Sequence, residues 1–156
     1  MEYDPRWAEA YRSEESRIYS ALGDRALLVE HTGSTAVPGL AAKPVIDITL
    51  AVGNSADEPA YAPDLERVGY QLRIREPDWY EHRLFRDEAK TVNLHVFTAG
   101  SEEIDRMIRF RDLLRSSPTN RTRYETTKRA LAEQSWTTVQ DYADAKSEVI
   151  AAILAE

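Results

Sequence analysis

The stretch from His31 to Leu50 constrains the fold more than any other part of the chain. A strand over 26–30 runs into Gly33-Ser34, and a short turn or helix follows. A second strand over 45–52 then carries Asp47 among Val45, Ile46, Ile48 and Leu50. A carboxylate inside so apolar a strand is costly unless something binds it. Gly33 lets the backbone approach a ligand closely, and the amides after Ser34 can form a phosphate-holding nest at a helix start. A phosphate grip and a buried carboxylate therefore lie close together in sequence.

With 156 residues, 42% of them hydrophobic, the chain can bury one sizeable core. The simplest organisation is a single domain over 1–156, sheet-rich over 1–100 and helical over 101–156. There is no cysteine, which excludes disulfides and thiolate metal sites. The first residues, Met1 to Trp7, lack a basic region followed by an apolar run, and no stretch approaches the roughly 20 apolar residues of a membrane span. The expectation is a soluble cytoplasmic protein with no membrane partner. A net charge of -7 argues against general nucleic-acid binding, which needs basic surface to displace counterions. Residues 102–129 nevertheless hold eight Lys or Arg against five acids. Such a segment suggests a local anion site, although solvated helix faces produce similar runs.

The apolar periodicity predicts a helix over 5–22, with Trp7, Tyr11, Ile18 and Leu22 on one face. Residues 53–59 are a loop by composition, 63–68 a helix closed by Gly69, and 70–75 a strand. Residues 81–86 and 91–98 form a hairpin around Asp87-Glu88-Ala89-Lys90. Helices follow over about 102–115, 118–134 and 138–155, broken at Ser116-Ser117-Pro118 and Ser135-Trp136-Thr137. The coarse architecture is a mixed sheet with a helical C-terminal half.

Side chains alternate along a strand, so Asp47 and Thr49 share one face, and Asn93 and His95 share one face of theirs. If the two strands are neighbours, the four gather in one patch near Ser34; the alternative is a half-exposed sheet face. Each of the three C-terminal helices carries one basic residue in its apolar stripe. Arg111 lies with Met107, Phe110 and Leu114, Lys128 with Tyr124 and Leu131, and Lys146 with Val139, Tyr142, Ala143, Val149, Ile150 and Ile153. One such residue can snorkel or pair with an acid. Three in succession are better explained by a shared anion such as a phosphate chain. Of the three histidines, His31 and His95 flank the candidate site, and histidine with aspartate can bind a transition metal; a structural, hydrogen-bonded role is the alternative. His82 is expected to face away or to lie at the hairpin edge, and Tyr80, Glu81, Arg83 and Arg86 are unspecific candidates for substrate contact.

The block from His31 to Ile48, the run Asn93-Leu94-His95-Val96-Phe97, and residues 110–115 with Tyr124, Lys128, Tyr142 and Lys146 together resemble the GrpB family. That family comprises small bacterial proteins of the nucleotidyltransferase superfamily, and its domain also occurs fused behind dephospho-coenzyme A kinase. The resemblance implies an α/β (α+β) fold: a nucleotidyltransferase-like mixed β-sheet with flanking helices and a helical C-terminal half. The wider superfamily pairs Gly-Ser with Asp-x-Asp or Asp-x-Glu on the next strand and a third acid on a later one. Two metal ions held there activate the attacking oxygen and neutralise the triphosphate.

Gly33, Ser34 and Asp47 fit that pattern, whereas Thr49 stands for the second acid and Asn93 or His95 for the third. One carboxylate is a poor holder for two Mg²⁺ ions. Two readings follow. In one, the chain binds a nucleoside triphosphate with Mg²⁺ or Mn²⁺ and transfers a nucleotidyl group to an unknown acceptor. Asp47 and His95 are then the catalytic residues and metal ligands, and Gly33, Ser34, Thr35, Lys43, Thr49, Asn93, Arg111, Lys128 and Lys146 contact the substrate. In the other, the chain is a non-catalytic nucleotide- or phosphate-binding module that has lost the full carboxylate set.

Overall fold

The structure is a computed structural model that describes residues 1–134 and 139–155, and of Val139 the backbone alone. The expected break at Ser135-Trp136-Thr137 and the place of Val139 on its helix face lie outside the described residues. Helix α1 (Arg6–Leu22) begins where the Asp4 carboxylate accepts the Arg6 amide at 2.9 Å. It buries Trp7, Ile18 and Leu22, the face that the periodicity picks out. Strand β1 (Leu28–Thr32) starts two residues later than 26–30. The reason is local: the Ala26 amide donates to the Gly23 carbonyl, closing a 3-10 turn instead of joining the sheet.

Strand β2 (Ile46–Val52) and, after the short helix α2 (Ala62–Arg67), strands β3 (Gln71–Glu76), β4 (His82–Arg86) and β5 (Val92–Thr98) complete a five-stranded sheet in the order β1-β2-β5-β4-β3. Strands β4 and β5 form the expected antiparallel hairpin, with Leu84 opposite His95 and Arg86 opposite Asn93. The decisive pairing is β2 with β5, which is parallel and sets Asp47 beside Asn93 and Thr49 beside His95. Adjacent strands expose neighbouring residues on the same face, so the polar pairs read from alternation do gather.

One face of the sheet is covered by α1 and α2, where Ile46, Ile48, Leu50, Phe85, Leu94 and Val96 pack against Trp7, Ile18, Leu22 and Leu65. The other face carries three C-terminal helices, α3 (Glu102–Ser116), α4 (Pro118–Glu133) and α5 (Val139–Leu154). Ile104 and Met107 of α3 cover Ala51 and Phe97. A separate cluster of Val37, Leu40, Leu114, Tyr124 and Ile153 locks the helices to the loop between β1 and β2. The start of α4 is fixed by Ser117, whose side chain accepts the Asn120 amide at 3.1 Å, with Pro118 in the first turn. Among the described residues, no helix is long and apolar enough to cross a membrane.

Candidate functional site

Where β1 ends, Gly33 takes φ +73° and ψ −176° and turns the chain into the 3-10 turn Ser34–Ala36. A Cβ on Gly33 would stand 2.5 Å from Asp47 Oδ2, so only glycine lets the turn lie against this carboxylate. The turn uses two of its own amides, since Ala36 donates to the Gly33 carbonyl and Val37 to that of Ser34. The expected nest of amides after Ser34 is smaller for that reason. The other polar groups around the turn are side chains.

Those side chains line a cavity of about 430 Å³ between the mouth of the sheet and helices α4 and α5. Ser34, Thr35, Lys43, Asp47, Asn93, Lys128 and Lys146 are all on its wall. Lys128 reaches across from α4, and its Nζ donates to Ser34 Oγ at 3.2 Å while lying 5.1 Å above the Tyr124 ring. Tyr124, deeply buried and hydrogen-bonded to Ser34, has its phenol pushed up to about 12 by that burial. Lys128 is held below the usual lysine range by burial and then by Lys146 and Lys43, with Glu125 opposing. Lys146 is lowered by burial as well, with Asp47 working against the shift and Lys43 adding to it. Lys43, Lys128 and Lys146 thus repel one another across the cavity, Asp47 attracts Lys146, and Glu125, the other acid on the wall, is engaged by Arg129 at 2.8 Å.

The remaining expected site residues are held by partners of their own. Arg111 does not join Lys128 and Lys146: its guanidinium donates to Glu30 at 2.7 Å, to the His31 carbonyl at 3.0 Å and to Asp112 at 3.0 Å. A charge that far inside satisfies itself on the nearest acceptors, and for Arg111 these belong to β1. Thr49 is fully buried, bonded to Thr32 Oγ1 at 2.9 Å and capped by the Met107 sulfur at 3.7 Å. Thr35 lines the cavity, but its hydroxyl donates to the Val45 carbonyl at 3.1 Å and takes a bond of 3.0 Å from His31. Stacked on Tyr11, His31 is pushed down to about 4 by burial and by Arg115, so it is a neutral donor in this arrangement. Asp47 is half-buried rather than buried, its side chain 27% exposed.

Asp47 Oδ1 receives Asn93 Nδ2 at 3.3 Å and meets His95 Nε2 at 3.2 Å. Behind His95 stands a residue expected to face away or to lie at the hairpin edge: His82, buried, places Nε2 3.0 Å from His95 Nδ1 and Nδ1 2.7 Å from Glu76 Oε1. The signal was present in the hairpin, because His82, Leu84 and Arg86 share a face by alternation and Leu84 stands opposite His95. Glu76 enters from β3 and had no such marker. Glu103, buried at the start of α3, was missed too; burial raises its pKa against the pull of Arg106.

A two-metal centre needs several carboxylates converging on one point. Among the described residues no group of three or more His, Cys, Asp or Glu is placed to hold a metal ion. Position 49 is sealed under Met107, Asn93 donates to Asp47 instead of sharing a cation with it, and both His95 nitrogens face protein partners. The residues present do not fit a pair of metal ions.

A family model described as GrpB protein matches residues 1–156. The chain belongs to the GrpB family. It is 58% identical to a UPF0157 protein of Halalkalibacterium halodurans, over 99% of this chain and 79% of that one. The crystal structure of the conserved protein GrpB from Enterococcus faecalis superposes with a TM-score of 0.78 at 31% identity, covering 99% of this chain and 98% of that one. The Cid1 poly(U) polymerase, in a structure with MgGTP bound, matches with a TM-score of 0.57 at 13% identity, over 85% of this chain and 43% of that one. This GrpB-family chain therefore has a nucleotidyltransferase-like fold, and at such low identity the likeness to the polymerase speaks for the fold alone.

Proposed function

We propose that the chain binds a nucleoside triphosphate by its phosphate chain, in the cavity walled by Ser34, Lys43, Lys128 and Lys146, with ammonium groups in place of a metal pair. The observation that carries this reading is the reach of Lys128 from α4 to Ser34 on the glycine turn, with Lys146 and Lys43 close enough to depress it. Like charges in a half-buried cavity repel one another, and an anion of high charge relieves that repulsion. The fold adds support, since a protein of the same fold holds MgGTP. The non-catalytic alternative raised by the missing acids is thus the one favoured.

Calorimetric titration with ATP, GTP, CTP and UTP, with and without Mg²⁺ or Mn²⁺, tests this. Binding is expected without added metal, and Lys128→Met or Lys146→Met should weaken it by about tenfold or more, the worth of a charged hydrogen bond. Absence of binding to all four nucleotides would overturn the proposal. Binding that requires a divalent ion and is lost in Asp47→Asn would replace it with the metal-assisted transfer reading, whose acceptor would then be sought. The contact between Asp47 and His95 is the observation that favours this second reading.

A further inference from the structure

Arg86 ends β4 beside the candidate site but is not on the wall of the lysine cavity. It stands opposite Asn93, which stands beside Asp47, so the three form a row across the mouth of the sheet. The bonds along this row have one sense only. A guanidinium can only donate and a carboxylate can only accept, so the Asn93 amide turns its oxygen to Arg86 Nε at 3.0 Å and its nitrogen to Asp47 Oδ1 at 3.3 Å. Asn93 thereby grips the arginine by its inner nitrogen. The outer fork of N–H groups, on Nη1 and Nη2, has no protein partner among the described residues.

The buried arginines of the chain are treated differently. Arg83 holds Glu58 and Glu81, and Arg111 holds Glu30 and Asp112. Half-buried Arg86 has no carboxylate in ion-pair reach among the described residues. The acid next to it in sequence is engaged elsewhere, since Asp87 accepts the amides of Thr91 at 2.8 Å and Val92 at 3.0 Å. A partly enclosed charge without a counter-ion is costly, and a guanidinium fork matches two oxygens of one phosphate.

We infer that Arg86 is a second phosphate-binding group, set across Asp47 from the lysines and serving a phosphoryl group other than those held by Lys128. This inference rests on the phosphate-binding reading above. Lys128 reaches Ser34, just beyond β1, whereas Arg86 ends β4, with β2 and β5 between them. At about 4.8 Å per strand, the backbones of β1 and β4 are roughly 14 Å apart. A single phosphate chain laid across that interval would meet the Asp47 carboxylate, so each cationic end takes a phosphoryl group of its own. The second group is carried either by the ribose of the bound nucleotide or by a separate phosphate monoester.

The test titrates cytidine 3′,5′-bisphosphate and CMP into the full chain, as wild type and as Arg86→Gln, and then CMP into protein saturated with inorganic triphosphate. If both phosphates belong to one ligand, wild type should bind the bisphosphate about tenfold more tightly than CMP, the worth of a charged hydrogen bond, and Arg86→Gln should lose that preference. If the second phosphate belongs to a separate ligand, CMP should bind the triphosphate-saturated wild type, and about tenfold more weakly the saturated variant. A merely structural arginine would lower both nucleotide affinities together and leave their ratio unmoved. Arg86→Lys keeps the charge without the fork, so it should recover part of the lost affinity, and it serves should Arg86→Gln not fold. Triphosphate binding by wild type, with neither the bisphosphate preference nor CMP binding to the saturated protein depending on Arg86, would overturn this inference alone. No triphosphate binding would overturn the phosphate-binding reading beneath it.

Discussion

At Gly33 two demands meet in one residue: a left-handed backbone with φ +73° and room for the Asp47 carboxylate, 2.5 Å from where a Cβ would stand. Gly33→Ala is therefore expected to cost at least about 1–2 kcal/mol from backbone strain alone, more if Asp47 cannot shift. Urea unfolding measures that loss. Nucleotide titration of the folded variant should show weakened binding, because a displaced Asp47 also loses its contacts with Asn93 and His95. A variant as stable and as tight-binding as wild type would mean that the turn is not held against Asp47. Thr49 makes the complementary point. Its hydroxyl is enclosed by Thr32 and Met107, so this position has become part of the packing between sheet and α3.

Among the elements, α3 departs from the expected convergence of three cations. Arg111 on its apolar stripe fastens the helix to β1 through Glu30 and the His31 carbonyl, and it is not on the cavity wall with Lys128 and Lys146. Arg111→Met should lower stability by about 1–3 kcal/mol, the range for hydrogen bonds to charged groups, and leave nucleotide affinity unchanged. Denaturant unfolding beside titration decides the matter. If affinity falls as it does for Lys128→Met, the arginine does reach the ligand. The contrast shows what a sequence carries. Alternation along β2 and β5 is local, so the gathering of Asp47, Asn93 and His95 could be read directly, as could the helices and the hairpin. The partner of Arg111 lies 81 positions away, and no periodicity encodes which of several acids a helix will meet. His82 was half legible: the hairpin fixes its face, but only the arrival of β3 with Glu76 gives that face a second acceptor. The late start of β1 came from a competing 3-10 turn, a choice settled by one amide.

For the whole molecule, an acidic chain of net charge -7 concentrates its cavity cations on helices that pack against the sheet from the far end of the sequence. The bond from Lys128 to Ser34 joins residues 94 positions apart, and the cavity is closed on one side by the glycine turn and on the other by α4 and α5. That seam holds mutually repelling ammonium groups, which on the phosphate-binding proposal an anion would draw onto one ligand. Amide hydrogen exchange should therefore slow in α4 and α5 on addition of triphosphate, while α1, packed on the opposite face of the sheet, keeps its rates. Uniform slowing across the chain, or none in α4 and α5, would contradict a ligand seated at this seam. On the phosphate-binding proposal, the lysine that bridges from α4 to the glycine turn would make the ligand a rivet, fastening the last third of the chain to the first.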